Sequence, residues 1–377
     1  MNKKRILIIS QVFHPYISPR SFRATELAKE LARQGNDVTV YTVLGKYDYA
    51  RYEQEHKIKI KNIGRMLFGP LKNFVMGQKS ILDFILEKMF RRLLEFPDIE
   101  LMFKIPRILK TEKNIDLLIS IAIPYPIHWG CALAKSMYKE SFPGTWAADC
   151  GDPYMGNKVA KKPFFYFKYV EKWFCRKTDY IVVPIAGAIG AYYPEFHKKI
   201  KVIPQGFRFD SINLALNKTN NKVPTFAYAG SLYKRVRDPS MFLAYLANLD
   251  SEFKFILYTS SRDLITPFCK KLGAKIEIRN NIPRDQLLSV LSQMDFLVNF
   301  ENGTDVQSPS KLIDYALLKK PILSIDSKKL QVQTIEEFLK GNYKNQFIID
   351  NIDQFNIETV AKKFVILSSF KFNNIGA

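Results

Sequence analysis

The sequence predicts an α/β fold: two doubly wound, parallel-sheet (Rossmann-like) domains in tandem, facing each other across a cleft. Three observations predict it. Short runs rich in Ile and Val alternate with segments whose apolar residues recur at helical spacing. That alternation runs through residues 5–204, stops in a polar, Asn- and Lys-rich stretch at 213–224, and resumes over 225–325. Helix starts marked by Ser-Pro or Asp-Pro, and a Gly just past a helix end, punctuate it where capping requires.

Arg5–Ser10 opens with an apolar, Ile-rich run, as a buried parallel strand needs. Ser18 and Pro19 supply the N-cap and first residue of a helix in which Ala24, Leu27, Ala28 and Leu31 share a face, and Gly35 follows its end. Asp37–Val43 is β-branched and reads as the next strand, which completes a βαβ unit. The intervening loop, Gln11–Ser18, has no glycine, so the dinucleotide-binding G-x-G-x-x-G is absent and a nicotinamide or flavin enzyme is disfavoured.

Residues 51–114 break the pattern. Many Lys and Arg interleave with Met, Leu and Phe, predicting one or two amphipathic helices inserted into the first sheet domain. Such helices either face the core with a solvated basic back or dock on anionic lipid. Asp116–Ala122 and Thr145–Asp149 then read as strands, with a helix over Gly130–Lys139 between them. A second basic–aromatic stretch, 158–177, carries a net charge of +6. Asp179–Pro184 and Lys199–Pro204 read as the last strands of the first domain.

After the linker, strands are expected at Thr225–Gly230, Phe253–Tyr258, Lys275–Ile278, Asp295–Phe300 and Pro321–Ile325. Helices are expected from Asp238-Pro239 to about Leu249, near Leu264–Leu272, over Arg284–Met294 and over Ser310–Leu318. The predicted organisation is a first domain at 1–205, a second at 206–352, and a helical segment at 353–377 able to pack back on the first.

Composition narrows the class. The 377 residues include 57 Lys and Arg against 36 Asp and Glu, a net charge of +21, which suits a phosphate-rich partner, an anionic lipid surface or an acidic ligand. Hydrophobic residues make up 47%, which excludes wholesale disorder. Four scattered cysteines without C-x-x-C spacing argue against a disulfide scaffold or structural zinc. No zinc-finger spacing or RNP-type run supports nucleic acid as a partner. The apolar start ends after Ile9, too short for a signal peptide, and no segment approaches a membrane span. The expected location is cytoplasmic, with a peripheral position on the inner face of the cell membrane if the basic–aromatic stretches dock on lipid.

Two loops of the second domain point to chemistry. Gly230–Asp238 joins a strand to a helix and carries Lys234, Arg235 and Arg237, cations suited to a diphosphate. Asn302–Asp314 runs through Ser308, Pro309, Ser310 and Lys311 into a helix. Its backbone N–H groups, hydroxyls and ammonium would cradle an anion, and Asp314, one turn in, would accept hydrogen bonds from a ribose.

The chain resembles the GT-B glycosyltransferases, most of all the retaining group called family 4. The stretches that carry the resemblance are HPYISPRSFRATELAKELARQGNDVTVYT, GTWAADCGDPY, KVIPQGF, FAYAGSLYKRVRDP and SPSKLIDYALLKKPILSI, in that order over roughly residues 5–325. The resemblance implies transfer of a sugar from a UDP- or GDP-linked donor to a saccharide or lipid-linked saccharide acceptor in surface-polysaccharide assembly, with retention. It implies donor contacts at Gly230, Ser231, Arg235, Arg237, Asp305, Ser308, Ser310, Lys311 and Asp314. Arg237 falls at the family's diphosphate-binding basic position, and Asp314 at the second, ribose-binding acid of a Glu-x7-Glu pair. Asp152 falls near the transferring sugar. Asp152, Arg237 and Lys311 are thus the expected catalytic residues, and His14, Arg20 and Arg23 the expected acceptor side.

The sequence departs from the family at three places. Val306 replaces the first acid of the pair, so that sugar contact is lost or moves to Asp305 or Glu301. Ser231 stands where the family has a basic residue, and the N-terminal glycine pair is missing. No cofactor or metal is expected, since cations and backbone dipoles would stabilise the leaving diphosphate. The alternatives are a UDP-sugar 2-epimerase of the same fold or a basic nucleic-acid-binding protein.

Overall fold

A computed structural model describes residues 3–67, 81–157, 163–209, 221–234, 236–301 and 311–369. The chain divides into two compact units, Met1–Phe207 with Gln354–Ala377, and Arg208–Asp353.

The first unit is built on seven parallel strands: β1 (Arg5–Ser10), β2 (Asp37–Thr42), β3 (Ile58–Asn62), β4 (Leu117–Ala122), β5 (Thr145–Cys150), β6 (Tyr180–Val183) and β7 (Ile200–Val202). They lie in the order β3-β2-β1-β4-β5-β6-β7. The helices are α1 (Pro19–Arg33), α2 (Ala50–His56), α3 (Ile81–Leu94), α4 (Glu100–Thr111), α5 (Pro126–Met137) and α6 (Phe167–Lys177). As the sequence demands, the Ser18 hydroxyl caps α1 by accepting from the Ser21 N–H, and Gly35 takes φ +87° past its end. Residues 51–114 correct the expectation of helices alone. Lys57 takes a left-handed φ of +54° that stops α2, and Ile58-Lys59-Ile60-Lys61 alternates with period two, forming an edge strand that, among the described residues, pairs only with β2.

The second unit has five parallel strands: β8 (Thr225–Ala229), β9 (Lys254–Tyr258), β10 (Ile276–Arg279), β11 (Phe296–Phe300) and β12 (Ile322–Ile325), in the order β10-β9-β8-β11-β12. Its helices are α7 (Ser240–Leu246), α8 (Thr266–Leu272), α9 (Arg284–Leu291), α10 (Lys311–Leu317) and α11 (Val332–Leu339). Strand β8 is buried on both faces: Phe226 and Tyr228 enter one core cluster, Ala227 and Ala229 the other.

The last helix, α12 (Ile357–Leu367), belongs to the first unit. Its Ile357, Val360, Ala361 and Phe364 share a core with Ala24, Leu27, Ala28 and Leu31 of α1, and Glu358 pairs with Arg33 at 2.5 Å. Chain order reverses between β1 and β4 in the first sheet and between β8 and β11 in the second. In open parallel sheets, the carboxyl ends of the strands at such reversals are where ligands bind.

Candidate functional site

At the β8/β11 reversal, β8 ends in Gly230, whose φ of +138° side chains rarely adopt. Lys311, at the start of α10, crosses over the face of Tyr228, its Nζ 3.8 Å from the ring centroid. This ammonium is shielded from solvent and has no hydrogen-bond partner among the described residues. Burial, reinforced by the nearby Arg237 guanidinium, pushes its pKa well below the ordinary lysine range. Arg237 also faces Tyr228. The Tyr228 hydroxyl donates to the Ser231 carbonyl at 2.9 Å, and burial raises its pKa. Tyr315 of α10 accepts from the Ala229 N–H at 2.9 Å, which pins the helix to the end of β8. Two cations therefore converge on one tyrosine, Lys311 over its ring and Arg237 at its hydroxyl.

Asp314, one turn into α10, receives Arg284 Nε and Nη2 at 3.1 and 2.6 Å, both on Oδ1. Burial pushes its carboxyl above the usual range, and Arg284 pulls it back. The structure thus gathers Gly230, Ser231, Arg237, Lys311 and Asp314 at one end of the second sheet. Arg235, Asp305, Ser308 and Ser310 lie outside the described residues. Sequence reasoning missed Tyr228 and Arg284. A large aromatic inside a strand reads as core, and Pro283-Arg284-Asp285 reads as a plain helix start.

In the first unit, Asp152 follows β5. Its carboxylate pairs with Arg20, and its carbonyl accepts from the Tyr125 hydroxyl at 2.5 Å. The Arg20 guanidinium lies on Gly151 in the space a Cβ would fill. Arg23 corrects an expectation. It is 4% exposed, grips Asp149 with Nε at 2.7 Å and Nη2 at 3.0 Å, and also donates to the carbonyls of Ile203 and Pro204. Four of its N–H groups are used inside the fold, tying β5 to the chain after β7, where an exposed acceptor-side residue was expected. His14 stacks on Tyr52 with centroids 4.5 Å apart and meets Tyr47 edge-on. Burial, then Lys29, lowers its pKa.

The two basic–aromatic stretches meet in this unit. Arg92 lies 4.7 Å over the Phe164 ring, and the Tyr166 hydroxyl donates to the Leu93 carbonyl. Around that junction Met89, Phe90, Leu94, Phe165 and Tyr169 are exposed, Phe165 by 72%, beside exposed Lys88, Arg91 and Arg92. Residues 68–80, with Lys158, Lys161 and Lys162, lie outside the described residues. Among the described residues no helix is long and apolar enough to cross a membrane, and no group of three or more His, Cys, Asp or Glu could hold a metal ion.

No family model and no curated protein matches the chain by sequence. Solved structures do match by fold. A glycosyltransferase from Rickettsia africae superposes with a TM-score of 0.64 at 13% identity, covering 98% of each chain. HepE of Anabaena, solved with UDP, gives 0.61 at 10% identity, covering 97% of this chain and all of that one. A UDP-GlcNAc 2-epimerase from Neisseria meningitidis, bound to UDP-GlcNAc, gives 0.56 at 10%, covering 96% and 98%. At these identities the likeness establishes the fold: two parallel-sheet α/β units of the GT-B kind.

Proposed function

We propose that the chain is a glycosyltransferase that passes a sugar from a UDP- or GDP-linked donor to a saccharide or lipid-linked saccharide acceptor in surface-polysaccharide assembly. The observation that carries this reading is the shielded Lys311 ammonium, without a hydrogen-bond partner among the described residues and beside Arg237. A buried ammonium without a hydrogen bond is costly. A diphosphate beside it would supply the missing acceptors, offset the repulsion from Arg237 and hold the lysine in its charged form. Asp314 would take the ribose hydroxyls. As the bond to the sugar breaks, negative charge builds on the leaving diphosphate oxygen, and cations already in place stabilise it with little reorganisation. Nothing in this scheme needs a protein nucleophile, and the family resemblance favours retention.

Asp152 is proposed to act near the transferring sugar, held in place by Arg20, with His14 on the acceptor side. The composite face around Phe90 and Phe165 is proposed to rest on an anionic membrane, where a lipid-linked acceptor would be met by diffusion in two dimensions. The HepE and epimerase structures hold UDP and UDP-GlcNAc, which supports a uridine donor. Titration calorimetry with UDP and GDP tests the reading; affinity for neither would overturn it. The epimerase likeness keeps one rival open. Conversion of free UDP-GlcNAc without any acceptor would favour epimerisation.

A further inference from the structure

Arg284 is the first residue of α9, where the helix dipole opposes a cation. Its position is explained by what it reaches in α10. A guanidinium commonly meets a carboxylate with two N–H groups on two oxygens. Here both groups fall on Asp314 Oδ1, and no described residue donates to Oδ2. The side chains are 28% and 18% exposed, so the pair is partly open to solvent.

We propose that Arg284 is a positioning residue for nucleoside recognition: by holding Oδ1, it presents Oδ2 of Asp314 to the ribose hydroxyls. The proposal rests on the donor reading above. Burial works against the ionised carboxyl, and Arg284 offsets that. Among the described residues, the other titratable groups on its helix are Tyr315 and Lys311, with Tyr228 of β8 lying under Lys311. None of these is an anion that would oppose the charge at neutral pH, so Arg284 is the main support of the carboxylate.

The test is calorimetry of UDP and 2′-deoxy-UDP on the full chain, wild type, Arg284→Gln and Arg284→Lys, from about pH 5 to pH 8. Wild type should prefer UDP over the deoxy nucleotide by about tenfold, the scale of one charge-assisted hydrogen bond. In Arg284→Gln that preference should fall towards unity, and the acid loss of UDP affinity should move to higher pH. Arg284→Lys keeps a charge but not the two-pronged grip. It should retain the wild-type pH profile with a reduced preference, which gives a readout even if the glutamine variant folds poorly. Equal weakening of both nucleotides with an unmoved pH profile would show that the pair only joins two helices, and would overturn the proposal. Wild type binding neither UDP nor GDP would instead remove the donor reading itself.

Discussion

The arginines beside β5 and the lysine at β8 use positive charge in opposite ways. In the first unit, Arg23 and Asp149 are both buried and paired, and Arg20 is paired to Asp152. In the second, the Lys311 ammonium is equally withdrawn from water but faces an aromatic ring and another cation. Charge balanced within the fold holds the fold together. Charge left unbalanced costs stability, and a ligand of opposite sign would offset it.

The largest effect should come from breaking the balanced pair. Arg23→Ala leaves Asp149 charged and buried, so stability should drop by about 3–5 kcal/mol in chemical denaturation. A loss below about 1 kcal/mol would mean the clamp is incidental. Lys311→Met should behave oppositely. UDP affinity should fall by about 1–3 kcal/mol, while the melting temperature holds or rises, since a buried amine with no hydrogen-bond partner among the described residues is exchanged for an apolar chain of similar length. If the variant melts early and binds UDP normally, the lysine is structural.

Gly151→Ala would drive a Cβ into the Arg20 guanidinium and separate it from Asp152. Sugar transfer should fall by roughly ten- to a hundredfold, the scale for misplaced groups, with UDP affinity unchanged. A matching loss of UDP affinity would contradict the assignment of Asp152 to transfer alone. The smallest effect belongs to the exposed face. Phe90→Ser combined with Phe165→Ser removes apolar anchors but no cations. Sedimentation with phosphatidylglycerol vesicles should show binding weakened severalfold, by about 1 kcal/mol, and wild-type binding should fall as salt rises. Wild type that sediments equally with neutral and anionic vesicles would discard the membrane reading.

Much of the fold was legible because strand and helix periods and helix caps are local. Ser18, Pro19 and Gly35 mark α1 within a few residues of its ends. Edge strand β3 was not legible, since its lysines matched the basic stretch around it. In the second unit the loops after β8 and β11 pointed to Arg237, Lys311 and Asp314, because cations and hydroxyls after parallel strands suit phosphate. What the sequence could not supply was partnership across distance. Arg23 reads as exposed until Asp149, 126 positions away, is seen to hold it. Tyr228 reads as core until Lys311 is found over its ring, and Arg284 as a helix start until it is seen on Asp314.

The central claim is that Lys311 awaits a diphosphate, and proton linkage tests it most directly. Burial and Arg237 depress the lysine in the empty protein, so the folded chain gives up a proton that the unfolded chain keeps, and stability rises with pH between the depressed and ordinary lysine values. A bound diphosphate would return that proton. UDP affinity should therefore fall as pH rises through that window. Calorimetry at one pH within it, in two buffers of different ionisation heat, should show net proton uptake on UDP binding to wild type and none to Lys311→Met. Uptake that is absent from wild type throughout the window, or that survives in Lys311→Met, would contradict the account.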